Sequence, residues 1–220
     1  MIMVGILVIL VLAAIIGRGT VAGPALHTLI GTAGIGLGTL LPVLGILTVT
    51  GEWSHRTALT TFTLEPRRGR VLTAKCLTPL ITAVAASLFA IAVAVPVTAA
   101  VAAARDVPAN WQVEPLALLG WTATNVLVVA MGLALGMLLL NAPAAIVIYL
   151  SSTMLWTVVG KLGTTGALLA EWLDLNSTTA ALAAGDMTGG DAARLTASIV
   201  FWIVLPMAAG AVRMVRREVT

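Results

Sequence analysis

Apolar residues in this chain come in long unbroken runs, without the strict alternation of a half-buried strand. Crossing a hydrocarbon layer of ~30 Å takes about 20 such residues at ~1.5 Å rise each. The runs predict six spans, over residues 1–17, 26–48, 71–103, 115–140, 144–160 and 195–212. The expected fold is therefore an all-α membrane protein of six transmembrane helices, forming one membrane domain over 1–220. The first run has no positive leader and no small-x-small site after it, so it reads as a span and not as a cleaved signal peptide. Pro42, Pro79, Pro96 and Pro206 fall inside the runs. Kinks are expected there, with neighbouring helices satisfying the carbonyls that proline frees.

Composition agrees. Of 220 residues 60% are hydrophobic and 10% charged, against roughly 25% charged in a soluble domain. The runs are too long, and aromatics too few, for the ~10-residue alternating segments of an outer-membrane barrel. The single Cys76 allows no internal disulfide. The net charge of +3 is no nucleic-acid signature, because the basic residues flank apolar runs. Six spans put Arg56, Arg67, Arg68, Arg70, Lys75, Arg213, Arg216 and Arg217 on one side. Arg18, Arg105, Lys161 and Arg194 fall on the other, with Asp106, Glu114, Glu171, Asp174, Asp186 and Asp191. The positive-inside rule makes the first side cytoplasmic, and both termini with it.

The polar stretches differ in kind. Residues 105–114 are a short connection with an interfacial Trp111. Residues 161–194 are longer and semi-apolar, and two readings stand: short helices lying on or dipping into the outer leaflet, or an ordinary loop. The stretch from Gly51 to Lys75 gathers more charge than either, and of both signs.

Signatures of soluble chemistry are missing. The chain has no HExxH, no GxSxG elbow and no GxxxxGK[ST] loop, and its two histidines, His27 and His55, sit on opposite sides of the expected membrane. Gly34-Ile35-Gly36-Leu37-Gly38 looks like a dinucleotide loop but lies inside a span with no strand before it. Gly34 with Gly38, and Gly132 with Gly136, are better read as i, i+4 faces where helix backbones approach closely. Polar residues inside spans face a path or a neighbouring helix, because lipid penalises them. The candidates are His27, Asn125, Asn141, Ser151, Ser152, Thr153 and Thr157. No acid lies deep in a span, which disfavours a proton- or sodium-coupled carrier.

The polar island begins at the end of the second span with Glu52 and Trp53. Residues 57–63 suit a short helix that Pro66 must end, and Arg67, Arg68 and Arg70 follow where anionic headgroups or acidic partners lie. Glu52-x-x-x-Arg56-Thr57-x-Leu59, then Leu64-Glu65-Pro66-Arg67-Arg68 and Lys75, resembles the signature of type-2 ABC transporter permeases. In that family it forms a cytoplasmic coupling helix between the second and third spans. The six-span layout, the larger last outer loop and the basic tail resemble it too. Two departures stand: Arg56 occupies a position where the family commonly has Gly, and the chain starts inside its first span, so that either the start is assigned too late or the family's amphipathic leader is lacking.

The resemblance implies a permease subunit of an ATP-driven exporter with no chemistry of its own. Its coupling segment, about 51–70, would carry Glu52, Trp53, Arg56, Thr57, Glu65, Pro66, Arg67 and Arg68 onto an ABC ATPase subunit. ATP and magnesium would sit on that partner. A second permease copy, or a related one, would close the translocation path in the cell membrane. The rivals are a membrane assembly protein without transport and a lipid-modifying enzyme. The latter would need paired acids or His near one interface.

Overall fold

The structure, a computed structural model, describes residues 26–54 and 68–216, with positions 5 and 8 as isolated residues. The expected first span and residues 55–67 of the polar island lie outside the described residues. Among those described, five helices are long and apolar enough to cross a membrane: Leu26–Gly51, Thr73–Arg105, Pro115–Leu139, Ala142–Val159 and Gly189–Arg213. They match the second to sixth expected spans. The described residues form an all-helical, multi-pass membrane protein.

In chain order the elements are α1 (Leu26–Ser54), α2 (Arg68–Arg105), α3 (Pro115–Leu139), α4 (Ala142–Val159), α5 (Gly163–Leu173), α6 (Leu175–Ala184) and α7 (Gly189–Ile199). A π segment, Val200–Val204, continues α7 into α8 (Leu205–Arg216). It ends two residues before Pro206, whose missing N–H breaks the regular ladder at the Trp202 carbonyl. The last span starts at Gly189 and not near 195 because Thr188 and Asp191 form a reciprocal capping box.

Cross-helix contacts fix the directions. A side chain built at Gly34 of α1 would meet Trp121 of α3, while Gly132 and Gly136 of α3 lie against Pro42 and Ile46 of α1. Both series rise together, so α1 and α3 run parallel. Asn125 of α3 meets Ser87 of α2, and Cys76 Sγ of α2 lies 3.8 Å from Met137 Sδ of α3, so α2 runs the other way. Trp202 shares a recess with Val128 and Met131, and Gly210 of α8 packs on Met137, so the last helix runs parallel to α3. One face of the bundle thus collects the end of α1, the start of α2, the α3–α4 turn and the end of α8.

Packing is inverted relative to a soluble bundle. The inward face of α2 is small, with Ala83, Ala86, Ala90 and Ala94 buried beside Ser87 and Thr98. Its outward face carries Leu77, Ile81, Val84, Leu88 and Val95, all exposed. Large apolar groups gain nothing by leaving lipid, whereas small ones let backbones close together. The same holds on α4, where Ala145 is buried and Val147, Leu150, Met154 and Val158 are exposed.

The stretch after α4 resolves the two readings left open for it. α5 and α6 form a helical hairpin that enters the bundle. Leu182 of α6 meets Gly120 near the start of α3, and Gly185 packs on Ala117. Leu175, at the other end of α6, lines a recess with Val128 and Met131 of α3. Ala117 and Val128 are ~16 Å apart along the helix, so the α5–α6 turn at Asp174 lies well inside the bundle. Gly185 closes α6 at φ 81, a left-handed cap that donates to Ala181 and Leu182 carbonyls.

Candidate functional site

Pro42 sets the local geometry. Lacking an N–H, it leaves the carbonyl of Gly38, one turn earlier, without its helical donor. The Tyr149 hydroxyl on α4 supplies the bond, donating to the Gly38 oxygen. Tyr149 is the only tyrosine of the chain. It is nearly buried and holds α4 against α1 across a gap.

That gap is a cleft of ≈ 560 Å³, within the size range of small-molecule sites. α1 contributes Gly31, Gly34, Gly38 and Thr39 to its wall. α3 contributes Trp121, Thr124, Asn125 and Val128, and α4 adds Tyr149, Leu150 and Thr153. Asn176 reaches in from α6. Among the described residues, none that lines the cleft carries a formal charge.

Many of the side-chain donors here are already engaged. Thr39 and Thr124 donate to carbonyls one turn back, Ile35 O and Gly120 O. Asn125 Nδ2 donates to Ser87 Oγ at 3.1 Å, a buried bond between α3 and α2. Asn176 Nδ2 donates to Thr153 Oγ1 at 2.8 Å, tying the hairpin to α4. Asn125 and Asn176 each keep a second amide N–H beside these bonds, so the wall offers donors as well as oxygen lone pairs.

Beside the cleft lies a recess of ≈ 20 Å³, room for about one water-sized group. Val128, Tyr149, Thr153 and Asn176 form a wall common to both. The recess adds Ser152, Trp156, Trp202 and Asp174. Trp202 donates from Nε1 to Leu173 O at 2.7 Å and meets Trp156 edge-on, with centroids 6.4 Å apart. Trp156 Nε1 is buried with no acceptor among the described residues. The Asp174 carboxylate caps α6, accepting from Asn176 N at 3.1 Å and Ser177 Oγ at 2.6 Å.

Of the polar candidates, Asn125, Ser152 and Thr153 gather here, Ser152 buried with its hydroxyl donating to Tyr149 O at 2.6 Å. His27 is exposed at the start of α1, its Nε2 3.3 Å from Thr28 Oγ1. Asn141 sits at the α3–α4 turn, where its side chain caps α4 by accepting from Ala144 N at 3.1 Å. Ser151 is exposed and lines neither cavity, and Thr157 donates back to Thr153 O. The glycine pairs divide: Gly132 and Gly136 pack tightly, Gly34 abuts Trp121, and Gly38 faces open space. Glu52 and Trp53 stand in the last turn of α1, and Arg68 begins α2. Arg56, Thr57, Glu65, Pro66 and Arg67 lie outside the described residues.

Sequence reading missed Tyr149, Trp156, Asn176 and Asp174. A signal for the first was available, since the carbonyl freed by Pro42 needs a donor and the apolar runs hold one tyrosine. The Asp174-Leu-Asn-Ser order is itself a helix-start pattern. What had no local signal is that this helix starts inside the bundle. An acid placed with the outer loop by sequence is thereby carried inward. No protein-family model, no curated protein and no solved structure matches this chain.

Proposed function

We propose that this chain is the membrane permease subunit of an ATP-driven ABC exporter, working as a dimer and coupled to a separate ATPase that holds ATP and magnesium. The supporting observation is where the polar island is anchored. α1 continues through Glu52 and Trp53 to Ser54, and α2 resumes at Arg68. In sequence the Arg56-Thr57 and Glu65-Pro66-Arg67 motif falls between these two helix ends, and the ends lie on the face that also carries Lys75 and Arg213. Arg213 donates to Leu138 O at 2.8 Å, so the same face is knitted to the end of α3.

This arrangement gives a push on the island a route inward. At this end α1 is locked to α3 through Gly132 and Gly136, so the two helices move as a pair. At the other end α1 parts from α4 around the cleft, where relative motion changes the space between them. In this reading the island faces the cytoplasm, both termini lie on that side, and the protein resides in the cell membrane. A second copy, or a related permease, completes the path.

The test is co-purification with an ATPase encoded beside it, followed by Glu52→Arg or Arg67→Glu in proteoliposomes. The expected result is an assembled complex whose ATP hydrolysis no longer drives transport. Full coupling in both variants, or no ATPase partner at all, removes the reading.

A further inference from the structure

No apolar run of this chain holds an acid, yet the α5–α6 hairpin delivers one among the spans. Asp174, at its turn, lines the small recess with Val128 of α3 and Trp202 of the last span. Those two stand ~20 Å along their helices from Pro115 and Gly189, the ends on the side where the hairpin enters. In a hydrocarbon layer of ~30 Å that sets the carboxylate well below the surface, where an unneutralised charge is costly. Among the described residues Asp174 forms no ion pair, and Arg194 of α7 is already paired with Glu171 and Asp191.

The surroundings are rich in oxygen. Each carboxylate oxygen of Asp174 accepts one bond, from Asn176 N or from Ser177 Oγ. A carboxylate offers about four acceptor sites, so both oxygens keep a lone pair. Ser152, 7% exposed, lines the same recess with Thr153 and Asn176. Their hydroxyl and carboxamide oxygens keep lone pairs beside the bonds they make. The space is ≈ 20 Å³, room for one water-sized body. Carboxylate, carbonyl and hydroxyl oxygens around such a space suit a hard cation. One carboxylate balances one positive charge, and a divalent ion would leave an excess in lipid. A proton would use neither the space nor the additional oxygens.

We infer that the recess at the α5–α6 turn binds a small alkali-metal cation, with Asp174 supplying the charge and Ser152, Thr153 and Asn176 supplying further oxygens. Binding is a property of this chain alone, so the inference stands or falls separately from the ATPase-coupled reading.

Sodium is the probe. Equilibrium dialysis of the purified protein in neutral-lipid nanodiscs against radioactive sodium, in N-methylglucamine chloride and corrected with empty discs, reads the affinity. The parent is expected to take up sodium saturably, and sodium is expected to raise its unfolding midpoint in the same buffer. Asp174→Asn keeps a helix-capping acceptor of equal quality and removes only the charge. It should fold like the parent without sodium, while its sodium affinity falls about a hundred-fold or more. Ser152→Ala, which removes one oxygen from the opposite wall, should weaken binding about ten-fold. Asp186→Asn changes an acid past the other end of α6, outside the recess, and should leave binding as it was. No saturable uptake by the parent, uptake retained by Asp174→Asn, or undiminished affinity in Ser152→Ala each overturns the inference.

Discussion

The two ends of α1 are built from the same residue types and do opposite things. Near Ser54, Pro42 and Ile46 press against Gly132 and Gly136 of α3 so closely that an added Cβ at Gly132 would stand 2.6 Å from the Pro42 oxygen. Near Leu26, Gly31 and Gly38 face open space, and α4 stands off across a cleft. Small residues therefore do not by themselves bring helices together. The neighbour decides: α3 offers glycines of its own to the seam, whereas α4 offers Tyr149, whose ring spaces the helices while its hydroxyl holds them.

The largest effect is expected at the seam. Gly132→Leu forces α1 and α3 apart and should cost about 3 kcal/mol or more, seen as loss of the folded protein in thermal unfolding in detergent. Gly38→Leu, the same change on the open side, should unfold like the parent. Equal destabilisation of the two would erase the distinction.

Tyr149→Phe tests the strut across the gap. Leaving the Gly38 carbonyl unpaired should cost about 1–2 kcal/mol. Pro42→Ala restores a backbone donor to that carbonyl, so in its background Tyr149→Phe should cost only about 0.3 kcal/mol. A double-mutant cycle reads the difference directly. Undiminished loss in the Pro42→Ala background would mean that Tyr149 acts by packing alone.

Asn125→Leu probes the boundary between the two halves. The bond to Ser87 should be worth about 0.6 kcal/mol, and at most ~1.7, as for other hydrogen bonds between membrane helices. The smallest change lies at the closed end, where Leu140 ends α3 at φ 51. Leu140→Gly removes that left-handed strain and should stabilise by about 0.5 kcal/mol, raising the unfolding midpoint slightly.

Much of this fold was legible because lipid is a simple solvent. Long apolar runs must be helices, and the spans from α1 to α4 began and ended within a few residues of their hydropathy limits. The closeness of Gly132 and Gly136 was readable from spacing, but the openness at Gly38 was not, since spacing says nothing about the opposing side chain. Asn125 met the expectation for a polar group in a span by bonding to another helix. Asn141 looked alike in sequence, yet Pro143 follows it two residues on, and the pair marks the start of a helix. The hairpin was the hardest part. α5 and α6 are 11 and 10 residues long, too short to leave a spanning signal, and only the contacts with α3 and α7 carry their junction inward.

That hairpin has a consequence for how the chain is made. Neither α5 nor α6 can cross the membrane, and the polar backbone at their turn has no place in bare lipid. Its inner end is secured by α3 and by residues that emerge later, through the Thr178–Ser198 hydroxyl pair and the Trp202 bond to Leu173. The hairpin therefore cannot be seated in order of synthesis. It must wait at the surface until the last span has inserted, so the site beside it is completed only when the chain is nearly finished, and a chain cut off before α7 has no finished site to offer.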